Sequence, residues 1–429
     1  MLKDEKKPMV KIAILGYGVV GSGIVQVLDQ NRIHIEKQAG CAVEVKRILD
    51  KRDISKELPS TSMYTNNFDT ILDDDEIQII TEVMGGVDPA YDFVKRALLR
   101  GKHVCTSNKE LVSKHGAELL AIAEEKDLNF MFEASVGGGI PIVRPINLAL
   151  TTDEIIAVSG ILNGTSNYML TQMSTLGKSY NEALTEAQKL GYAEKDPTAD
   201  VGGFDACRKL AILLSLATGK QVDFEEILTE GIQNISQTDF AFARALGFTI
   251  KHMVDGRITP TGISARAVPM LVHHSSPIAA VTGVFNGVIV QAKATDSVMF
   301  YGRGAGKLPT ASAVVTDIVD IAKHLHRHIQ FSWSSEKIDV MPSDSYVSRK
   351  LVRITTTGKI EDVQDKIQKT QNIQQNMLIK LPEYPGQIAW LTQRETDAFT
   401  ENSLEGINLE SIKAERILRV YEPVETVNE

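Results

Sequence analysis

The chain has 429 residues, more than one ordinary hydrophobic core accommodates, so two or three domains are expected. Hydrophobic residues make up 43% and charged residues 24%, the composition of a globular rather than a disordered chain. The formal net charge of −9 argues against nucleic acid or an anionic membrane as the main partner, and three cysteines without a CxxC pair exclude a disulfide framework and fit a reducing, cytoplasmic compartment.

Residues 10–28 are apolar and follow a charged start. Lys11 and four glycines interrupt the run and no small-residue cleavage site follows, so it reads as neither a signal peptide nor a membrane span. Val10 to Leu15 instead reads as a buried strand, followed by glycines and a helix to about Asn31. Further strands are expected at Glu44–Leu49, Ile77–Val83, His103–Thr106 and Asn129–Glu133. A helix should start at Asp88-Pro89, with Asp88 as its cap, and stop at Gly101. Lys109 to Lys126 has helical spacing. This alternation predicts an α/β fold that opens on a doubly wound parallel sheet of Rossmann type.

The middle of the chain mixes helices (Asn181–Gly191, Ala206–Thr218, Pro309–His326) with strands (Gly262–Ala267, Gly287–Ala292), which suggests an α+β layer. Residues 332–348 hold six serines and read as a linker. The tail reads strand (Lys350–Thr356), helix (Glu361–Thr370), strands (Met377–Leu381, Gln387–Leu391), helix (Glu395–Leu404), strand (Ala414–Tyr421). That order is a ferredoxin-like unit. The expected domains are 8–140, completed by 300–328; 141–299; and 349–429, after the linker.

Gly16-Tyr17-Gly18-Val19-Val20-Gly21 is a GxGxxG between a strand and a helix, the context a dinucleotide requires. Gly16 permits the tight turn, Gly18 lets backbone approach a pyrophosphate, and Gly21 lets the helix pack close. The helix N-terminus faces the phosphates with free N–H groups. The second strand ends in Asp50-Lys51-Arg52-Asp53, which offers an acid for NAD and bases for NADP; Lys51 and Arg52 favour NADP(H). Asp50 lies 34 residues after Gly16, so the first crossover is longer than usual.

Asp205 and Lys209 lie four apart on an apolar helix, and Glu194, Asp196 and Asp200 lie just upstream. A buried lysine beside carboxylates can act as a proton donor. Lys109, in Thr106-Ser107-Asn108-Lys109, should lie at the carboxyl edge of the sheet. Cys207 reads as a packed residue, and the histidines at 273, 274, 324, 326 and 328 lack a metal-ligand spacing. Trp333 and Trp390 carry no readable role.

Seven segments in order resemble the homoserine dehydrogenase family: GYGVVGSG (16–23), EVMGG (82–86), TSNKELV (106–112), FEASVGGGIPI (132–142), GILNGTSNYML (160–170), LGYAEKDPTADVGGFDACRKLAIL (190–213) and MFYGRGAGKLPTASAVVTD (299–317). The resemblance covers residues 8–330 strongly and the rest weakly. It implies NAD(P)-dependent interconversion of L-aspartate 4-semialdehyde and L-homoserine, on the way to threonine, methionine and isoleucine. It implies that Lys209 and Lys109 flank the aldehyde, with Lys209 as proton donor. Glu194, Asp196, Asp200 and Asp205 would hold the substrate amine and orient that lysine, and Thr165 and Tyr192 would line the pocket. Ser107 and Gly304 would join the glycine loop at the cofactor. Glu133, with the carbonyls of Val136, Gly138 and Ile140, would match a sodium or potassium site. A homodimer through the middle domain and an ACT-like tail are also implied. The family's Pro-Gly turn after the first tail strand is here Thr356-Thr357-Gly358-Lys359, and Pro385-Gly386 comes later. This departure weakens the expectation of an amino-acid effector such as threonine. With the glycine loop beginning at Gly16, a fused aspartate kinase upstream is not expected. Two other readings compete: a related amino-acid dehydrogenase, which need not share the cluster from Glu194 to Lys209, and a non-catalytic NADP(H) sensor, which would be indifferent to loss of Lys209.

Overall fold

A computed structural model gives the protein's structure and describes residues 8–359, 361, 363–365, 367, 378–406 and 412–424. The chain divides into two compact units. One comprises residues 1–154, 211–224 and 302–338, the other 155–210, 225–301 and 339–429.

The first unit is built on β1 (Met9–Leu15), β2 (Ala42–Leu49), β3 (Tyr64–Thr65), β4 (Ile77–Glu82), β5 (His103–Thr106) and β6 (Phe130–Met131), in the order β3-β2-β1-β4-β5-β6. Every neighbouring pair is parallel. Ile12, Ala13, Ile14 and Leu15 are fully buried, as a strand covered on both faces must be. The strand order reverses at β1, which has β2 on one side and β4 on the other. Ligands of such sheets bind in the crevice at that switch point, beyond the carboxyl ends of the strands.

The unusual length before Asp50 has a simple cause. The first helix, Val19–Gln30, is followed at once by a second, Arg32–Ala39, which ends at Gly40 in the left-handed region (φ +73°). The helix expected from Asp88 begins at Ala90 instead. Pro89 occupies its cap position and no side chain caps it. Gly101 (φ +85°) closes that helix as expected, its N–H donating to the Leu98 carbonyl at 3.0 Å. The strand expected at Asn129–Glu133 is cut to two residues because Glu133–Ser135 turns into a 3-10 segment. Helix Lys307–Lys323 returns to the first helix, and Gly23 is the contact point: a Cβ there would lie 2.9 Å from the Lys307 carbonyl oxygen.

The second unit contains β7 (Ile155–Ile161), β8 (Leu228–Thr229), β9 (Phe248–Thr259), β10 (Gly262–His273), β11 (Phe285–Ala292), β12 (Asp296–Arg303), β13 (Val347–Ser348), β14 (Lys350–Thr356), β15 (Leu378–Ile379), β16 (Gln387–Leu391), β17 (Glu395–Thr396) and β18 (Ile412–Val420). Nine strands form one path, β12-β11-β7-β9-β10-β18-β14-β16-β15, with β8 pairing β10 beside it. The tail strands β14, β15, β16 and β18 therefore stand in the order fourth-first-third-second, every neighbour antiparallel. Of the helix expected at Glu361–Thr370, residues 361, 363–365 and 367 are helical, and the rest lies outside the described residues, as does Met377.

The tail sheet continues the middle one. β18 pairs with β10 through Met270 opposite Arg419 and Leu271 opposite Val420. Leu351, Ala389 and Leu418 share one core with Met169, Phe242 and Leu271. The buried Asp239 also accepts from Arg353 Nε (3.1 Å) and Nη2 (2.9 Å). The serine-rich stretch 332–348 is tied down at both ends. Trp333 is buried against Gly116 and donates to Gln221 Oε1 at 3.2 Å, while the Tyr346 hydroxyl donates to Asp255 Oδ2 at 2.7 Å.

Candidate active site

In the first unit the glycine loop lies at the switch point. Gly16 takes φ +101° and donates its N–H to the Leu49 carbonyl at 2.8 Å. Gly18 caps helix Val19–Gln30, and a Cβ on it would meet nothing within 4 Å, which leaves open space for a pyrophosphate. Gly21 is different: a Cβ there would lie 2.0 Å from the Gly16 carbonyl oxygen, so only glycine lets the helix close on the loop. Val19 is exposed at the helix start and Val20 is half-buried behind it. These features fit a dinucleotide.

Asp50 is already engaged. Its Oδ2 accepts from the Tyr17 N–H at 2.9 Å and from Arg52 Nη2 at 3.1 Å; its Oδ1 accepts from the Arg52 N–H at 2.9 Å and Arg52 Nε at 3.1 Å. Arg52 Nη2 also donates to the Tyr17 carbonyl at 3.0 Å. Burial pushes the carboxyl up, but the Arg52 side chain and the two backbone N–H groups outweigh it and hold its pKa at about 2. Four donors occupy the four lone-pair directions of this carboxylate. Lys51 is exposed beside it.

At the next strand ends, Ser107 donates its N–H to the Glu82 carbonyl at 3.2 Å. Asn108 caps helix Lys109–Glu125 by accepting the Leu111 N–H at 3.1 Å and donates Nδ2 to the Gly86 carbonyl at 2.6 Å. Lys109 is the first residue of that helix, half-buried at the carboxyl edge of β5.

The segment expected to hold a monovalent cation is a tight loop. The Glu133 carboxylate accepts the backbone N–H groups of Ile142 (2.7 Å), Val143 (2.9 Å) and Arg144 (2.8 Å). Its side chain therefore braces the loop, and only its carbonyl is left to join those of Val136, Gly138 and Ile140. No backbone hydrogen bond of the described residues ends on the carbonyls of Val136, Gly138 or Ile140, so three hard oxygen donors remain for a cation. Gly138 takes φ +58°, and a Cβ on it would lie 2.2 Å from the Gly304 carbonyl oxygen. The Gly139 N–H donates to the Arg303 carbonyl at 3.1 Å. The loop around Gly304 is thus seated directly on the loop of Gly138 and Gly139. Among the described residues no group of three or more His, Cys, Asp or Glu could hold a metal.

In the second unit, Lys209 and Asp205 lie one turn apart on helix Phe204–Thr218, and both are buried. Lys209 Nζ donates to Asp205 Oδ2 at 2.8 Å and to the Leu162 carbonyl at 3.0 Å. Asn163 joins the two carboxylates, its Nδ2 donating to Asp200 Oδ1 at 2.7 Å and Asp205 Oδ2 at 2.8 Å, while its Oδ1 caps helix Gly164–Leu176. The Thr165 hydroxyl donates to the Tyr192 carbonyl at 2.7 Å, and the Tyr192 ring stands edge-on to Tyr168 at 5.0 Å. The structure therefore brings Asp200, Asp205, Lys209, Thr165 and Tyr192 to one place.

Glu194 and Asp196 are exposed. Asp196 Oδ1 is taken by the Thr198 hydroxyl at 2.6 Å and the Thr198 N–H at 3.1 Å, so it holds its own turn. Asn163 was missed by sequence reasoning; its only local signal is an N-cap position before Gly164. Cys207 is buried, and burial pushes its thiol pKa up, as for an inert packed cysteine.

The chain is similar to known proteins over most of its length. The family model described as "Homoserine dehydrogenase, NAD binding domain" matches residues 16–133, and the model described as "Homoserine dehydrogenase" matches residues 141–319. Homoserine dehydrogenase of Bacillus subtilis is 39% identical over 350 residues, 80% of each chain, and that of Synechocystis is 43% identical over 323 residues, 73% of each. The crystal structure of a homoserine dehydrogenase from Thiobacillus denitrificans superposes with a TM-score of 0.89 at 33% identity, covering 97% of this chain and 99% of that one. A hyperthermophilic archaeal homoserine dehydrogenase in complex with NADPH gives 0.61 at 25% identity, covering 73% of this chain and 97% of the other.

Proposed function

This chain belongs to the homoserine dehydrogenase family and is an NAD(P)-dependent oxidoreductase, and from that premise we propose how its residues divide the work. The substrate pair is L-aspartate 4-semialdehyde and L-homoserine, within threonine, methionine and isoleucine synthesis. The observation that carries the assignment is the setting of Lys209. An ammonium has three N–H donors. Asp205 and the Leu162 carbonyl take two, which leaves one for the substrate oxygen.

When bound, the cofactor gives or takes the hydride. Lys209 steadies negative charge on the aldehyde oxygen during reduction and delivers its proton there. Asp205 keeps the ammonium oriented, and with Asp200 it provides the anionic surface for the substrate amine. Glu194 and Asp196 are assigned to the rim of the substrate site, consistent with their exposure. Thr165 and Tyr192 form the pocket wall, and Lys109 is a second cationic residue of the reaction.

NADP(H) is the preferred cofactor. With its lone pairs saturated, Asp50 has no acceptor left for a ribose 2′-hydroxyl, while Lys51 and Arg52 offer positive charge for a 2′-phosphate. The archaeal relative solved with NADPH supports this reading. Sodium or potassium binds the loop of Glu133, Val136, Gly138 and Ile140. The tail is an ACT-like unit in which the Pro385-Gly386 turn abuts the end of β14, with Thr356 N–H donating to the Gly386 carbonyl at 2.8 Å. The enzyme works in the cytoplasm as a homodimer. No described helix is long and apolar enough to cross a membrane.

The test is reduced-nicotinamide absorbance on mixing the protein with L-homoserine and NADP+ or NAD+, under sodium and under potassium. Growth of signal with homoserine, stronger with NADP+, is the expected result. No signal in either direction with either cofactor would move the assignment to another substrate or to a sensor.

A further inference from the structure

No side chain of β4 has a part in the reaction proposed above, yet β4 ends in a buried carboxyl group. Glu82 has no solvent exposure. Its Oε2 accepts the Thr106 hydroxyl at 2.6 Å, and its Oε1 accepts the Met84 N–H at 2.7 Å and the Gly85 N–H at 3.4 Å. All these groups donate, so they match an ionised carboxylate, which can only accept. No lysine or arginine pairs with it among the described residues. Burial raises its pKa overall, and hydrogen bonds from Thr106, Met84, Gly85 and Asn108 offset only part of that rise, so the ionised form rests on the donor geometry. An unpaired carboxylate of this kind is expensive to bury and calls for a reason.

Its position supplies one. Glu82 stands in register with Leu15, the last residue of β1, directly before the glycine loop. Through Met84, Gly85 and Thr106 it braces the two loops at the carboxyl ends of β4 and β5. In sheets of this order the dinucleotide straddles the switch point. Asp50 to Arg52 mark the adenosine side at β2, so the nicotinamide side falls over β4 and β5. The nicotinamide ring is cationic when oxidised and neutral when reduced. A fixed negative charge in a dry site acts on that difference with little screening by salt.

We propose that Glu82 is a positioning residue whose buried, unpaired carboxylate makes this site favour the oxidised, cationic cofactor over the reduced, neutral one. The inference rests on the cofactor placement given above, and one experiment separates the two. NADP+ is titrated by calorimetry and NADPH by its fluorescence, against the unmodified protein and the variants Glu82→Gln, Glu82→Met and Glu82→Asp, with melting curves for each. Two neutral variants of different chemistry guard against one failing to fold. In Glu82→Gln and Glu82→Met the Kd for NADP+ should rise about fivefold or more relative to that for NADPH. In Glu82→Asp, which keeps the charge, the ratio should stay within about twofold of the unmodified protein. Neutral variants whose two affinities move together, or a Glu82→Asp ratio that shifts as far as that of Glu82→Gln, would overturn the inference and reduce Glu82 to a structural brace. An unmodified protein that binds neither NADP(H) nor NAD(H) would overturn the cofactor placement itself, and the inference with it.

Discussion

Lys209 Nζ lies 2.8 Å from Asp205 Oδ2, one helical turn away, and the same Asp205 oxygen accepts the Asn163 amide at 2.8 Å. The carboxylate is thus shared between a cation and a helix-capping side chain, so its orientation is set from two elements at once. Lys209→Ala should lower kcat by about 10²–10⁴-fold with cofactor affinity unchanged, because it removes the proton donor and nothing of the glycine loop. Asp205→Asn should leave a buried ammonium without its counter-ion and cost roughly 3 kcal/mol in a urea melt. Lys209→Ala with normal turnover would sink the assignment of the donor, and a pH–rate profile compared with Lys109→Ala would show which lysine carries it.

The two glycines Gly18 and Gly21 should respond in opposite ways to one added methyl group. Gly18→Ala meets no neighbour, so its melting temperature should hardly move, yet it fills the space left for the pyrophosphate and should weaken cofactor binding about tenfold or more. In Gly21→Ala the Cβ would sit 2.0 Å from a backbone oxygen, so the helix must shift and stability should fall by about 2–3 kcal/mol. Melting curves alongside cofactor titrations distinguish the two effects.

Asp50 links cofactor choice to acid stability. Its folded pKa of about 2 lies below the ordinary 3.8, so the folded chain binds this proton less readily than the unfolded one. The stabilisation is full above about pH 4 and is lost as pH falls towards 2. Asp50→Asn should flatten that part of the acid unfolding curve. Arg52→Ala should cost NADP+ more affinity than NAD+, by about tenfold for one phosphate contact. Equal losses for the two cofactors would argue against Arg52 as the phosphate reader.

Lys251 makes the opposite kind of pH prediction. It is buried on β9, with Nζ donating to the Val281 carbonyl at 2.6 Å, and burial drops its pKa from 10.5 to about 8. Between those values the unfolded chain holds a proton that the folded chain has released. Stability should therefore rise with pH from about 8 to about 10.5. Lys251→Met should remove that slope and gain about 1 kcal/mol or more at pH 7, net of the lost hydrogen bond. Denaturant midpoints across the pH range would show it.

Much of this molecule is legible in local pattern. Ile12 to Leu15 followed by three spaced glycines encodes a strand, a turn and a helix start, since each depends on neighbours a few residues away. The Asp205–Lys209 pair is legible for the same reason, because helical periodicity alone puts residues four apart on one face. Asn163 was not, because its meeting with Asp200 and Asp205 spans about forty residues and no local period encodes it. The exposure of Asp196 was hidden too: Thr198, two positions on, competes for its carboxylate, and only the folded turn shows which partner wins.

Local pattern along the chain sets out the chemistry it can carry: a glycine loop in the right context, a lysine among acids, and the order of strands and helices. These follow from short-range sterics and periodicity, which any folded form must respect. Which partner each charged group meets emerges on folding. Asp50 is saturated by Tyr17 and Arg52, Glu133 braces the loop that follows it, and Glu82 is buried at the end of β4, where no lysine or arginine pairs with it among the described residues. Folding also joins the tail to the middle sheet through two register pairs, Met270 with Arg419 and Leu271 with Val420. The physical reason is common to all of them. Burial and long-range pairing settle which partner a polar group meets, and that choice depends on residues far apart in the chain.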